Sequence, residues 1–370
     1  MEIIDKSNQA VLDEYEKFVS ESTYGYFSQS LKWCGVKDNW GWDAVISRDI
    51  NGNIQGTCLI LIRKVPIIGK TFLYAPRGPV CNWCDRVVLE DLMLGVKELA
   101  AKYKCIEFIC DPCVEEWDED SRKMFEDIGF SHKRFVADFE TIQTRNNYML
   151  RDIQGKSLDE IMLGFKPDWR NRIRKAPKKG VYCEFHGTEA LDDFYPLMQT
   201  TGERDGFQVR PKAYFEKMLN SLGEDMCRLV MCYVDEDGKK IPLSAAIAVK
   251  YAGKTAYVYG ASANHHRNLY PNYLMQWEMI KWAVEGNCTI YDFQGIPYYT
   301  DETKPEYGVY RFKKGFNGEV VTFEGEFVYT FRPTLKKMVN IGAAVLKKVR
   351  AIKRDMRKKR SPKAAENKSE

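Results

Sequence analysis

Apolar and polar positions along the first 110 residues switch between two spacings. In QAVLDEYEKFVSE (9–21) and VVLEDLMLGVKELAAKY (87–103) apolar residues return every three or four places, the period of one helix face. In GTCLILIRKV (56–65), KTFLYAP (70–76) and CIEFIC (105–110) they crowd into short runs, which predicts strands. The same alternation resumes after Phe165. A basic helix, DWRNRIRKAPKKG (168–180), precedes a strand, VYCEF (181–185), and two helices centre on Leu191 and Tyr214. Strands IPLSAAIAVKY (241–251) and TAYVYGASA (255–263) then lead to the helix YPNYLMQWEMIKWAVEG (270–286) and the strand CTIYDFQG (288–295). Strand–helix–strand order in both halves predicts an α/β protein with mixed sheets.

The halves also echo one another. At an offset of 183, YAPRG (74–78) meets YVYGA (257–261) and LAAKYKCIEF (99–108) meets WAVEGNCTIY (282–291), matching Ala100 with Ala283 and Cys105 with Cys288. Each half ends on a Gly-Phe pair, Gly129-Phe130 and Gly315-Phe316. The chain therefore reads as a duplication. Beyond Pro333 a third pattern begins: Leu335, Met338, Val339, Gly342, Val345, Leu346, Val349, Ile352 and Met356 recur at helical steps, with Lys and Arg between them. A basic amphipathic helix over 335–360 and a disordered tail over 361–370 are expected. That helix reads either as one docked on the body or as one lying on anionic lipid or RNA.

Charge sharpens this picture. The net charge of +4 divides into thirteen Lys and Arg against Asp355 alone between Arg332 and Lys363, and −7 over residues 1–331. An acidic body with a basic tail suits a polyanion or an anionic membrane surface. Composition, with 44% hydrophobic and 13% aromatic residues, allows two domains' worth of core. No apolar run is long enough to span a bilayer, and the N-terminal stretch lacks the apolar centre of an export signal, so a cytoplasmic chain is expected. On that basis the eleven cysteines are expected as reduced thiols.

The usual catalytic motifs are missing. Cys81-x-x-Cys84 and Cys110-x-x-Cys113 could bind zinc, but their 25-residue separation holds a whole helix, and buried free thiols are the favoured reading. Among four histidines there is no HExxH, and neither a nucleophile elbow nor a phosphate-cradling glycine loop occurs. Direct transfer in a positioned site, without metal, remains.

Eight segments in order carry a resemblance: YFSQSLKWCGVKDNWGW (26–42), RGPV (77–80), FICDP (108–112), DWRNRIRKAPKKGV (168–181), TGERDGF (201–207) with Arg210 and Tyr214, YGASA (259–263), YLMQWEMIKWA (273–283) and YRFKKGFNGEVV (310–321). Together they resemble the Fem family of peptidoglycan interpeptide-bridge aminoacyltransferases, over nearly the whole chain to about Pro333. The resemblance implies two tandem acetyltransferase-like domains, residues 1–153 and 154–324, with a final strand near 325–334 returning to the first. Between Thr188 and Asp225 there is room only for two short helices, so the chain resembles members without a coiled-coil arm.

The resemblance also implies a reaction without a cofactor. Aminoacyl-tRNA, as co-substrate, gives its amino acid to the side-chain amine of the third stem-peptide residue of a muropeptide linked to UDP or to lipid. A lysine-type amine has a pKa of about 10.4, so a proton must leave it, while an oxyanion forms on the attacked ester. By the family pattern Lys313, behind Phe312, faces the tRNA acceptor end and the developing charge, and Asp111 is the acid/base. Lys37, Arg210 and Tyr214 hold the acceptor's diphosphate, and Tyr259, or in a shifted register Tyr257, contacts the acceptor. Blander readings exist for some: Asp111 as a turn residue before Pro112, Lys37 as a solvated charge, Tyr257 and Tyr259 as sheet filler. The second lysine, Lys314, reads as a solvated neighbour. A monomer, touching the membrane at most through its basic helix, is expected. Two other functions stay open: an acyl-CoA-dependent acyltransferase, which the glycine-poor ASANHHRNLYPNYL (261–274) disfavours, and a non-catalytic tRNA or membrane adaptor.

Overall fold

A computed structural model describes residues 1–66, 68–133 and 141–342. Two mixed sheets organise them. The first runs in the order Glu2–Ile3, Gly41–Arg48, Ile54–Val65, Lys70–Ala75, Cys105–Cys110, Glu326–Thr330, Ser131–Lys133, with Val80–Cys81 on Ile54–Val65. The second runs Glu319–Thr322, Asn146–Arg151, Ile290–Gly295, Lys254–Ser262, Lys239–Tyr251, Cys227–Glu236, Tyr182–His186. Each sheet holds a parallel pair joined by one amphipathic helix: Lys70–Ala75 with Cys105–Cys110 through helix Arg86–Lys102, and Lys254–Ser262 with Ile290–Gly295 through helix Pro271–Glu285. The duplicated order is thus visible in the topology. Strand Asn146–Arg151 already pairs in the second sheet, ahead of residue 153, and Glu326–Thr330 returns to the first.

Period-two alternation along Lys239–Tyr251 explains how the second sheet is covered on both faces. Ala245, Ile247 and Val249 enter a core that also holds Tyr26, Trp33 and Tyr74 of the first half and helices Leu191–Asp205 and Lys212–Leu222. Ala246 and Ala248 enter an opposite core against helices Pro167–Lys178 and Pro271–Glu285. The first of these cores joins the two halves, so burial of apolar surface fixes the groove between them.

One expectation is corrected. Cys183 and Cys232 are joined as a disulfide, because strands Tyr182–His186 and Cys227–Glu236 pair antiparallel with these two residues directly opposite. The other nine cysteines are free thiols. Cys81 and Cys110 are buried in the first sheet's core, and among the described residues no three His, Cys, Asp or Glu converge to hold a metal ion. Residues 333–342 are helical; the rest of the helix expected over 335–360 and the tail 361–370 lie outside the described residues. No described helix is long and apolar enough to cross a membrane.

Candidate active site

Four of the residues singled out in the sequence come together between the halves. Lys37 ends the short helix Lys32–Val36, and its Nζ donates to the Tyr214 hydroxyl at 3.2 Å. The Tyr259 hydroxyl lies 3.5 Å from that of Tyr214, and the Arg210 guanidinium stands 5.5 Å over the Tyr214 ring. Lys37 also sits over the Trp33 ring at 5.1 Å. Burial, reinforced by Arg210, pulls the Lys37 ammonium down to about 8. Among the described residues no carboxylate pairs with Lys37 or Arg210. Two cations without a carboxylate partner, beside two tyrosine hydroxyls, present the donors that an anion can accept from.

A bulge separates Tyr257 from Tyr259. Tyr259 opposes Ile247 and Tyr257 opposes Ala248, so Val258 is an extra residue and the two tyrosines leave the sheet on opposite faces. Tyr259 packs with Tyr214 and Phe215, while Tyr257 packs in the opposite core. A side chain on Gly260 would overlap the Tyr257 ring, so YGASA keeps a glycine where that ring crosses the backbone.

Asp111 follows the last residue of strand Cys105–Cys110 and is 1% exposed. It is no solvated turn residue. Its Oδ2 accepts from the Tyr74 hydroxyl and its Oδ1 from the Arg77 amide, both at 2.7 Å. Burial pushes its carboxyl up to about 6, against the opposing pull of Arg77. A carboxylate offers about four lone-pair sites, so two remain for a proton or a substrate amine.

Lys313 is the last residue of a helix, Tyr307–Lys313, and is 4% exposed. Strands Lys254–Ser262 and Ile290–Gly295 pair only over Lys254–Ala256 and Ile290–Asp292. Beyond that ladder, the carbonyls of Gln294 and Gly295 accept from Lys313 Nζ at 3.1 and 2.7 Å. An ammonium has three donors, so one is left for a developing oxyanion. Burial brings the ammonium down to about 7 although Asp292 holds it up. By contrast Lys254 gives its donors to three carbonyls, those of Thr23, Gly25 and Ala252, and is a structural brace. Lys314 is exposed, as expected. The turn after it takes its left-handed residue from Asn317 (φ 56°), not from the glycines. Gly315 and Gly318 are instead needed because a Cβ would overlap Trp169 and the Met149 carbonyl.

Two further residues complete the site, and sequence reasoning passed over both. Asp292 is buried, and each of its oxygens accepts twice: both accept from the Asn147 side chain, Oδ1 also from the Gln294 amide and Oδ2 also from the Gln294 side chain. Burial raises its carboxyl to about 6, while Arg77 and Lys313 draw it down. Arg77, also buried, donates to the Thr144 carbonyl at 2.8 Å and stands 4.8 Å over the Phe323 ring. Its charge acts on both carboxylates, and Asp292 in turn acts on Lys313. Asp292 also lines a cavity of about 280 Å³ between the sheets, with Tyr26, Cys113 and Lys254. The only sequence signal for Arg77 was its place in RGPV; Asp292 had none beyond sitting in a strand.

Comparison with known proteins shows the family. A sequence profile of the FemAB family matches residues 11–235 and 230–343. The chain belongs to the FemAB family. A lipid II:glycine glycyltransferase of Staphylococcus epidermidis is 30% identical over 401 residues, covering 92% of this chain and 95% of its own. One of Staphylococcus aureus is 30% identical over 395 residues, covering 88% and 93%. Because the 401-position alignment is longer than this 370-residue chain, the relative carries segments that this chain lacks. The crystal structure of FemX superposes with a TM-score of 0.84 at 27% identity, covering 92% of this chain and all of that one. A tandem acetyltransferase-like protein of clavulanic acid biosynthesis shares the fold at a TM-score of 0.52 and 10% identity. The FemAB chain is therefore an α/β protein of two tandem acetyltransferase-like domains.

Proposed function

We propose that this FemAB protein transfers an aminoacyl group from the ester of an aminoacyl-tRNA to the stem-peptide side-chain amine of a peptidoglycan precursor. The observation that carries the reading is the Lys37–Arg210–Tyr214–Tyr259 cluster, whose two cations have no carboxylate partner among the described residues and fit the diphosphate common to UDP-linked and lipid-linked muropeptides. Relatives named for lipid II support the same acceptor class.

In this reading the acceptor amine gives a proton to Asp111, whose free lone pairs and raised pKa suit a base near neutrality. The amine nitrogen attacks the ester carbonyl carbon, and the oxyanion takes the remaining donor of Lys313. The C–N bond forms and the C–O bond breaks; of the two protons the ammonium gives up, one passes through Asp111 to the leaving ribose oxygen and the other goes to solvent. Arg77 and Asp292 act as positioning residues: Asp292 fixes Gln294, whose carbonyl holds Lys313, and Arg77 keeps both carboxylates in register.

Lys37→Ala and Arg210→Ala each raise KM for the diphosphate-bearing acceptor by ~10–100-fold, the size of a lost charge-assisted hydrogen bond, with kcat little changed. Unchanged KM in steady-state kinetics with the UDP-linked pentapeptide would place the diphosphate elsewhere.

The basic C-terminal segment fits an anionic membrane carrying a lipid-linked acceptor. In its described part Met338 and Ile341 are 67% and 65% exposed, leaving apolar surface for the headgroup region. Truncation after Arg332 is expected to abolish sedimentation with phosphatidylglycerol vesicles and to slow transfer to lipid-linked but not UDP-linked acceptor. Unchanged partition and rate would sink the idea.

A further inference from the structure

Where strands Ile54–Val65 and Lys70–Ala75 meet, the end of the first sheet carries cations and exposed apolar side chains together. We infer that this end is a bilayer-docking surface, that its partner is a membrane of anionic phospholipid, and that it holds the diphosphate cluster at headgroup level. The inference rests on the lipid-linked form of the acceptor reading. It adds a second contact, on the folded body, to that of the C-terminal segment.

Strand register gathers the cations. Lys64 pairs with Thr71, Val65 with Lys70, and Thr71 with Cys105, so Lys64, Lys70 and Lys104 stand on neighbouring chain ends. Arg332 joins them, its Nε donating to the Cys105 carbonyl at 3.1 Å, and Lys337 follows in the helix over 333–342. Arg63 stands 5.7 Å over the Trp40 ring at the edge of the group. Among the described residues none of these six pairs with a carboxylate. Two buried acids here, Asp43 and Glu107, are already taken by Lys102 and Lys336. Residues 1–331 sum to −7, so this end opposes the sign of the body that carries it.

Apolar side chains stand among the charges. Pro66 and Ile68 are exposed between Lys64 and Lys70. Met338 and Ile341, three residues apart on one helix face, are exposed beside Lys337. The other face of that helix turns inward, with Lys336 over the Phe72 ring at 4.9 Å. An RNA would use the cations and leave the aliphatic chains bare, whereas the headgroup region of an anionic bilayer takes both.

Position agrees. The Trp40 amide donates to the Lys37 carbonyl at 2.8 Å, so Arg63 is one ring away from the diphosphate cluster. A lipid-linked diphosphate lies at the bilayer surface because its chain stays out of water. Its receptor must therefore sit at the edge of the face that meets the membrane. The surface is small, and stable membrane contact takes two signals, so it acts with the C-terminal segment rather than in its place.

The test sediments the full chain with phosphatidylcholine vesicles containing phosphatidylglycerol, and follows transfer to lipid-linked and UDP-linked acceptors in parallel. Lys64→Gln/Lys70→Gln is expected to lower the partition coefficient by ~10–30-fold, and Ile68→Ser by ~3–10-fold. Transfer to the lipid-linked acceptor in vesicles should fall with partition, while kcat and KM for the UDP-linked acceptor hold. Ile68 is exposed, so its replacement keeps the test open if the double variant folds poorly. Unchanged partition in both variants would overturn the surface and leave the proposed function standing. A raised KM for aminoacyl-tRNA with partition intact would overturn it in favour of an RNA contact. Vesicle binding needs no substrate, so absence of transfer by the wild-type chain, with partition still lost in the variants, would overturn the proposed function alone.

Discussion

Lys313→Met is expected to lower kcat for transfer by ~10²–10³-fold, the cost of removing one preorganised donor from a developing oxyanion. The substitution replaces a buried ammonium with an apolar chain of similar length. It removes a desolvation penalty but leaves the Gln294 and Gly295 carbonyls without their donor, effects that oppose each other in stability. The melting temperature should therefore change little, and KM for the acceptor should hold, because the Lys37–Arg210 cluster stands on the other face of the sheet. A variant that fails to fold would instead make Lys313 a structural brace like Lys254. Circular dichroism melts and steady-state kinetics separate the two outcomes.

The second large effect falls on Asp111. Asp111→Asn keeps the shape and the bonds from Tyr74 and the Arg77 amide but removes the proton acceptor, and kcat should fall by ~10²–10⁴-fold. The pH dependence carries the sign. In the wild type, transfer rises as Asp111 ionises near pH 6, because the base acts only when deprotonated. It declines as Lys313 loses its proton near pH 7, because the donor acts only as a cation. The narrow bell between them should lose its acid limb in Asp111→Asn and keep its alkaline one. An acid limb that survives in the variant would assign it to another group, Asp292 being the nearest candidate by its similarly raised pKa.

Much of the fold was legible because it rests on local rhythm. The helices Gln9–Glu21, Arg86–Lys102 and Pro271–Glu285 fall where three- and four-residue spacing put them, and the two Ala–Cys matches at offset 183 mark equivalent crossovers in the two sheets. Strands without clean alternation were missed. Cys227–Glu236 is buried on both faces, so its apolar run lacks period two, and Gly41–Arg48 is hidden by the tryptophans before it. The disulfide Cys183–Cys232 depends on strand register, which spacing along the chain does not encode.

The site divides in the same way. Residue types with one evident use, Lys37 and Arg210 for phosphate and Lys313 for a fixed charge, stood out within their motifs. Asp292 and Arg77 did not, since a buried carboxylate in a strand and an arginine in a turn look ordinary until tertiary packing sets them beside Lys313 and Asp111. Tyr257 and Tyr259 were inseparable for a related reason: a single extra residue at Val258 decides which ring faces the groove.

The central claim is transfer of an aminoacyl group from tRNA to a muropeptide amine. The direct measurement incubates the purified chain with a mixture of charged tRNAs and with UDP-linked or lipid-linked pentapeptide, and reads products by mass. A product heavier by one aminoacyl residue at the side-chain amine, formed only with charged tRNA, is the predicted result. No mass gain with any pair, or a gain that requires an acyl-CoA instead, would contradict it.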